Sequence, residues 1–212
     1  KVDVKRYIFS SEVGPRSIHY VTSHGCPFRC GFCSIMTSSK RRWVAASPKK
    51  VVDDMKFLHE KYKVDSFIIT DSNYIIDEKR VQDIAKEIID RGLKIKYGRV
   101  NVRADTMCRM KPETWDMLVK SGMVSIVTGA ESGDQATLDY MKRDMQVEHT
   151  IKAAEICKKY DIRIFFSFFI GLPNNKTTIK EELMGTIDLI NKLRKIDKNN
   201  SFGLFTYTPY LG

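Results

Sequence analysis

Apolar residues recur along this chain in two alternating rhythms. Short runs at Ile18 to Thr22, Ser66 to Thr70, Leu93 to Val100, Met123 to Thr128, Ile162 to Ile170 and Phe202 to Tyr207 have strand character. Between them the spacing turns helical. Val51, Met55, Leu58 and Tyr62 follow Ser47-Pro48; Val81, Ile84, Ala85, Ile88 and Ile89 follow the cap Asp77 and end at Gly92. Trp115, Leu118 and Val119 follow Pro112 and close at Gly122; Gln135 to Met141, Val147 to Tyr160 and Ile179 to Leu193 supply the remaining helices. The run Ile162 to Ile170 shows no alternation, which predicts a strand covered on both faces. Strands alternating with crossovers of this length predict a parallel sheet of α/β class. An open doubly wound sheet and a barrel both satisfy the pattern.

Residues 1–17 carry Gly14-Pro15 and little periodicity, and are expected to form a lead-in linker to a core at 18–212. The last residues, Tyr207 to Gly212, follow a strand with no helix to cover it, as expected of a core cut from a longer protein. No apolar run approaches the roughly 20 residues of a membrane span, and no charged-then-apolar leader follows Lys1. With few cysteines outside one cluster, this predicts a reducing, cytoplasmic setting. The net charge of +10 raises nucleic acid as a partner. The basic residues, however, are interleaved with Asp and Glu on the outer faces of the predicted helices, the pattern of a solvated surface. Only Lys40, Arg41 and Arg42 form a tight run, expected as a surface loop.

The chemistry concentrates after the first strand. Cys26, Cys30 and Cys33 stand at CxxxCxxC spacing, and three thiolates gathered so closely predict a metal site. Two readings are open on this loop alone. A structural zinc wants four protein ligands and would recruit His24, making the chain a zinc-stabilised nucleic-acid-binding module. An iron–sulfur cluster held by three cysteines would leave one iron open to an outside molecule. Cys157 shares a helical face with Val147, Ile151 and Ala154 and is expected in the core, whereas Cys108 falls in an irregular stretch. His19, His24 and His149 show no clear partner.

The remaining unusual residues all follow strands. Asp71-Ser72-Asn73 follows the second, Arg103 the third, Gly129-Ala130-Glu131-Ser132 the fourth, Gly171-Leu172-Pro173 the fifth and Thr208-Pro209 the sixth. In parallel α/β folds that rim binds ligands.

The segments TSHGCPFRCGFCS, TDSNYIIDEKRV, RVNVRAD, GAESGDQATLDYMKRDM and FIGLP resemble the radical SAM superfamily core, and within it are most similar to the cobalamin-dependent group. The resemblance implies a partial (β/α)6 barrel of six parallel strands. It implies that Cys26, Cys30 and Cys33 bind three irons of a 4Fe-4S cluster, whose open iron takes the amino and carboxylate groups of S-adenosylmethionine. One-electron reduction then releases methionine and a 5′-deoxyadenosyl radical. By the same resemblance, Phe32 packs near the adenine and Glu131 meets the ribose hydroxyls or the methionyl amine. Arg103 and Arg143, or Lys142, meet the methionine carboxylate. Gly171 lets backbone approach the nucleoside, with Pro173 fixing the turn. Many members carry Gly-Gly-Glu after the second strand; here Asp71 or Asn73 would take that role. The implied activity is methylation or rearrangement of an unactivated carbon in a small-molecule, peptide or lipid substrate, with an electron donor such as flavodoxin or ferredoxin. A tRNA-modifying methylthiotransferase is the alternative within the superfamily. Cobalamin would come from a preceding domain, because no Asp-x-His-x-x-Gly loop is present in this sequence.

Overall fold

The computed structural model describes residues 2–172 and 176–208. In chain order the elements are β1 (Ser17–Tyr20), β2 (Ser23–Gly25), α1 (Ser34–Ser39), β3 (Trp43–Ala45), α2 (Pro48–Tyr62), β4 (Ser66–Ile69) and α3 (Glu78–Asp90). There follow β5 (Lys96–Gly98), β6 (Val100–Asn101), α4 (Ala104–Arg109), α5 (Pro112–Lys120), β7 (Ser125–Glu131), α6 (Gln135–Tyr140), α7 (Val147–Lys159), β8 (Arg163–Ile170), α8 (Ile179–Ile196) and β9 (Ser201–Thr206). Residues 4–7 form a 3-10 turn, Phe9 bridges to Ser17, and Val13 is buried, so the lead-in packs against the first strand.

The strands run β1-β4-β5 and β6-β7-β8-β9, every pair parallel. Leu93 to Val100 was expected as one strand, but the chain breaks at Arg99, which adopts a left-handed φ of 53°. The two halves face different neighbours: β5 pairs with β4, and β6 pairs with β7. A parallel bridge from Tyr97 to Met123 helps tie the two sheets together. The six positions expected from the sequence thus become a partial barrel of parallel strands alternating with helices. Among the described residues β1 and β9 do not pair with each other.

That opening corrects the expectation for the fifth strand. Along β8, Ile164, Phe166 and Phe168 are buried beneath the helices, while Phe165, Ser167 and Phe169 are only half-buried on the inner side. A barrel that is not closed covers its inner face incompletely, so an unbroken apolar run still acquires two unequal sides.

The helices form where the capping chemistry directs. Ser47 accepts from the Lys50 N–H with Pro48 in the first turn; Asp77 accepts from Arg80, and Thr178 with Glu181 makes a reciprocal capping box. Val81, Ile84, Ala85 and Ile88 are all buried, as their spacing predicts. Cys157 is buried in α7, also as expected. Cys108, expected in irregular chain, lies instead in the short helix α4. Exposed lysines pair with aspartates one turn on, including Lys49 with Asp53 and Lys50 with Asp54, which makes the basic balance largely a solvated helical surface. Among the described residues no helix is long and apolar enough to cross a membrane.

Candidate functional site

The carboxyl ends of β1, β4, β6, β7 and β8 surround a cavity of about 290 Å³. Cys26, Cys30, Cys33, Phe32, Asn73, Arg103, Glu131 and Arg143 line it, together with Asn101 and Ser167. Eight of the ten residues expected at the site therefore share one wall system. Asp71 and Gly171 do not line this cavity.

The cysteine loop is held from several sides. Residues 23–25 pair antiparallel with 43–45, a hairpin too short to register as a sequence pattern. Gly25 at φ 81° is required there: a Cβ would stand 2.0 Å from the Arg42 carbonyl. On the other side the Gly31 N–H donates to the Met141 carbonyl at 2.8 Å, and Arg29 makes a two-pronged bond to Asp144 at 2.8 and 2.9 Å. Cys30 is buried, and Cys26 and Cys33 are half-buried. Burial pushes the Cys26 thiol up, and the neighbouring Cys30 and Cys33 thiolates add to it.

Asp71 serves the loop from beneath. Its buried carboxylate accepts from the Thr22 N–H, the Thr22 hydroxyl and the Ser23 hydroxyl, each at 2.6 Å. Both oxygens are committed to the turn leading into the cysteines, and Asp71 stands behind the cavity wall rather than in its lining. Asn73, two residues on, lines the cavity with both amide atoms buried and without hydrogen-bond partners among the described residues.

Glu131 reaches the cavity through a β-bulge. Gly129 pairs with Ser167 and Glu131 with Phe168, so β7 carries one extra residue, and Glu131 takes a left-handed φ of 63°. Its carboxylate stands 3.5 Å from Arg143, and its second oxygen is buried with no partner among the described residues. Burial pushes the Glu131 carboxyl up from its ordinary value, and Arg143 and then Arg103 oppose that. Arg143 itself donates to the Gly129 carbonyl at 2.9 Å and to Cys30 Sγ at 3.3 Å. Arg103 donates to Cys30 Sγ at 3.4 Å, to Asp105 at 2.9 Å and to the Arg143 carbonyl at 2.6 Å, and stacks on Phe28 at 4.1 Å.

Several expected positions fall elsewhere. Lys142, the alternative to the arginines, is exposed and lies outside the cavity lining. His24, the fourth donor of the zinc reading, is likewise exposed on β2. Among the described residues no three His, Cys, Asp or Glu side chains close around a single ion. The run Lys40 to Arg42 turns α1 back toward β3, with Arg41 donating to the Pro27 carbonyl. Gly171, at φ 82°, ends β8 with open space around it. Pro173 and Pro209 lie outside the described residues.

Phe28, Asn101, Asp105 and Ser167 were not foreseen. Asn101 had a signal: it alternates with Arg103 along RVNVRAD, placing two polar side chains between apolar neighbours. It donates to the Asp71 carbonyl at 2.8 Å.

A parallel barrel whose carboxyl-end rim gathers three thiols, a buried carboxylate and two buried guanidiniums around one cavity is of the cofactor-binding kind. Residues 20–196 match the Radical SAM superfamily, and the chain belongs to it. It is 33% identical over 183 residues to the anaerobic magnesium-protoporphyrin IX monomethyl ester cyclase of Cereibacter sphaeroides, covering 85% of this chain and 29% of that protein. It is 30% identical over 196 residues to an uncharacterized methyltransferase of Pyrococcus horikoshii, covering 91% of this chain and 39% of that protein. The chain thus spans well under half of these relatives. In fold it is similar to the radical S-adenosylmethionine methyltransferase TsrM of Kitasatospora setae, a structure with cobalamin and a [4Fe-4S] cluster bound. The TM-score is 0.74 at 17% identity, over 89% of this chain and 34% of that one.

Proposed function

We propose that this chain carries the cluster and S-adenosylmethionine site of a radical SAM enzyme of methyltransferase or cyclase type, with cobalamin bound outside the segment. The observation that carries the proposal is one cavity walled both by the three cysteines and by a buried carboxylate with an unpaired oxygen. The residues fit the cofactors they would hold. Three thiolates supply ligands for three irons of a 4Fe-4S cluster and leave the fourth for an outside ligand. Burial first, and the neighbouring thiolates after it, disfavour a bare Cys26 thiolate, and bound iron would offset both. The unpaired amide of Asn73 and the free oxygen of Glu131 offer partners to the amine and hydroxyls of S-adenosylmethionine.

Held by Cys26, Cys30 and Cys33, a cluster would supply one-electron reduction chemistry to a sulfonium bound beside it. What the chain contributes is placement and exclusion. Phe32, packed edge-on against Phe169 at 5.1 Å, gives an apolar surface for the adenine. Val102, Val127, Ile35 and Met36 keep water from the reacting bond. Arg143 balances Glu131, so that the carboxylate is oriented for hydrogen bonding rather than left as a lone buried charge. The cyclase and methyltransferase relatives support a small-molecule or lipid substrate, and an external one-electron donor is part of the proposal.

Anaerobic purification and reconstitution test it. A brown protein with about four irons and four sulfides per chain and a reduced-cluster resonance supports the reading. Colourless zinc-loaded protein overturns it, as does unchanged iron content and 5′-deoxyadenosine formation in Cys30→Ala.

A further inference from the structure

Two guanidiniums converge on a single sulfur. Arg103 and Arg143 each donate through Nη1 to Cys30 Sγ, at 3.4 and 3.3 Å. Among the described residues no guanidinium reaches Cys26 or Cys33, Cys26 being met instead by the Phe28 backbone N–H, and Cys30 is the most buried of the three. The donors are fixed in place. Arg103 is 4% exposed and anchored by Asp105, by the Phe28 ring and by the Arg143 carbonyl. Arg143 is 7% exposed and anchored by the Gly129 carbonyl and Glu131.

The geometry points to Arg103 and Arg143 as positioning residues that raise the reduction potential of the cluster through Cys30. The inference rests on the cluster assignment above. An N–H aimed at a ligating thiolate draws electron density from the sulfur, weakens its donation to iron and so stabilises the added electron. Because Asp105 and Glu131 balance the two cations nearby, the effect is that of directed hydrogen bonds rather than net charge. The same asymmetry makes the Cys30 iron electronically distinct from those on Cys26 and Cys33. The step concerned is one-electron reduction by an external low-potential donor, dithionite in the test, and no bond at Cys30 is made or broken.

The test is a potentiometric titration, followed by electron paramagnetic resonance, of the full-length reconstituted protein and its Arg143→Gln, Arg143→Lys and Arg103→Lys variants. The inference expects full iron content with a midpoint shifted to lower potential, furthest in Arg143→Gln and partly restored in Arg143→Lys. Lys142→Gln, which removes an exposed neighbouring charge, should leave the midpoint in place. Unchanged midpoints in cluster-loaded arginine variants overturn the inference while the cluster assignment stands. An equal shift in Lys142→Gln also overturns it, by assigning the effect to bulk charge. If Arg143→Gln loses its cluster, the two lysine variants decide. Wild-type protein that holds no cluster at all overturns the assignment and the inference together.

Discussion

Asp71 accepts both the backbone N–H and the hydroxyl of Thr22 at 2.6 Å, tying the end of β4 to the turn that launches the cysteine loop. The Ser23 hydroxyl completes the cradle, and Arg80 holds the far side of the turn through the Thr22 carbonyl at 3.0 Å. Replacing Asp71 by Ala strands three buried donors. The expected loss is about 3 kcal/mol, since each unsatisfied buried donor costs roughly 1–3 kcal/mol and relaxation recovers part. Urea unfolding of Asp71→Ala should show it, together with lower iron retention after gel filtration. A variant of unchanged midpoint that retains iron would remove Asp71 from the support of the loop.

Glu131 predicts a pH dependence of known sign. Burial raises its carboxyl above the ordinary 4.5, so the folded protein holds this proton more tightly than the unfolded chain. Stability from this group is therefore complete below the unfolded value and falls as pH rises through the folded one. In Glu131→Gln that fall disappears. The urea midpoint of the iron-free wild type, measured against the Gln variant from pH 4 to 7, should lose ground with rising pH. A difference that grows in the wild type's favour would contradict the burial argument.

Much of the fold was written in the sequence because long periodic segments advertise themselves. Of the stripe, Val81, Ile84, Ala85 and Ile88 are buried and Ile89 half-buried, and Ser47 and Asp77 cap the helices they were expected to open. The hairpin 23–25 with 43–45 and the helix Ala104–Arg109 were invisible, being only three to six residues long per segment. Their stability comes from tertiary contacts rather than from local pattern. The break at Arg99 had one signal, the neighbouring Gly98 inside an otherwise strand-like run. At the site, residue type and strand-end position brought Glu131, Arg103 and Arg143 to the cavity, but they do not give direction. Asp71 and Asn73 are two residues apart, yet one faces the supporting turn and the other lines the cavity.

Gly129 leaves room for the ion pair beside it. A Cβ there would stand 1.9 Å from Glu131 Oε1 and 3.1 Å from Arg143 Nη2. The obstructing atoms are side-chain ends, so Gly129→Ala should fold, at a cost of about 1–3 kcal/mol for overpacking. The displaced carboxylate should weaken S-adenosylmethionine binding about tenfold or more, the consequence of losing one charged hydrogen bond. Isothermal titration of the reconstituted protein measures this. Wild-type affinity in a folded variant would show that the pair does not need the space.

Arg143 is delivered by strained backbone on both sides, because Lys142 and Asp144 each sit at φ 51°. Left-handed geometry costs an ordinary residue roughly 1–2 kcal/mol and a β-branched one more. Asp tolerates it locally; Lys does not, and Lys142 is exposed with no packing reason for its identity. Lys142→Gly should therefore stabilise the iron-free protein by about 0.5–1 kcal/mol, the relief of strain exceeding the entropy glycine adds to the unfolded chain. Lys142→Val should destabilise by about 1–2 kcal/mol and, by twisting the segment, loosen Arg143 from Cys30. Paired urea titrations of the two variants check the opposite signs. If Gly and Val shift the midpoint in the same direction, the left-handed turn is not what holds Arg143 in place.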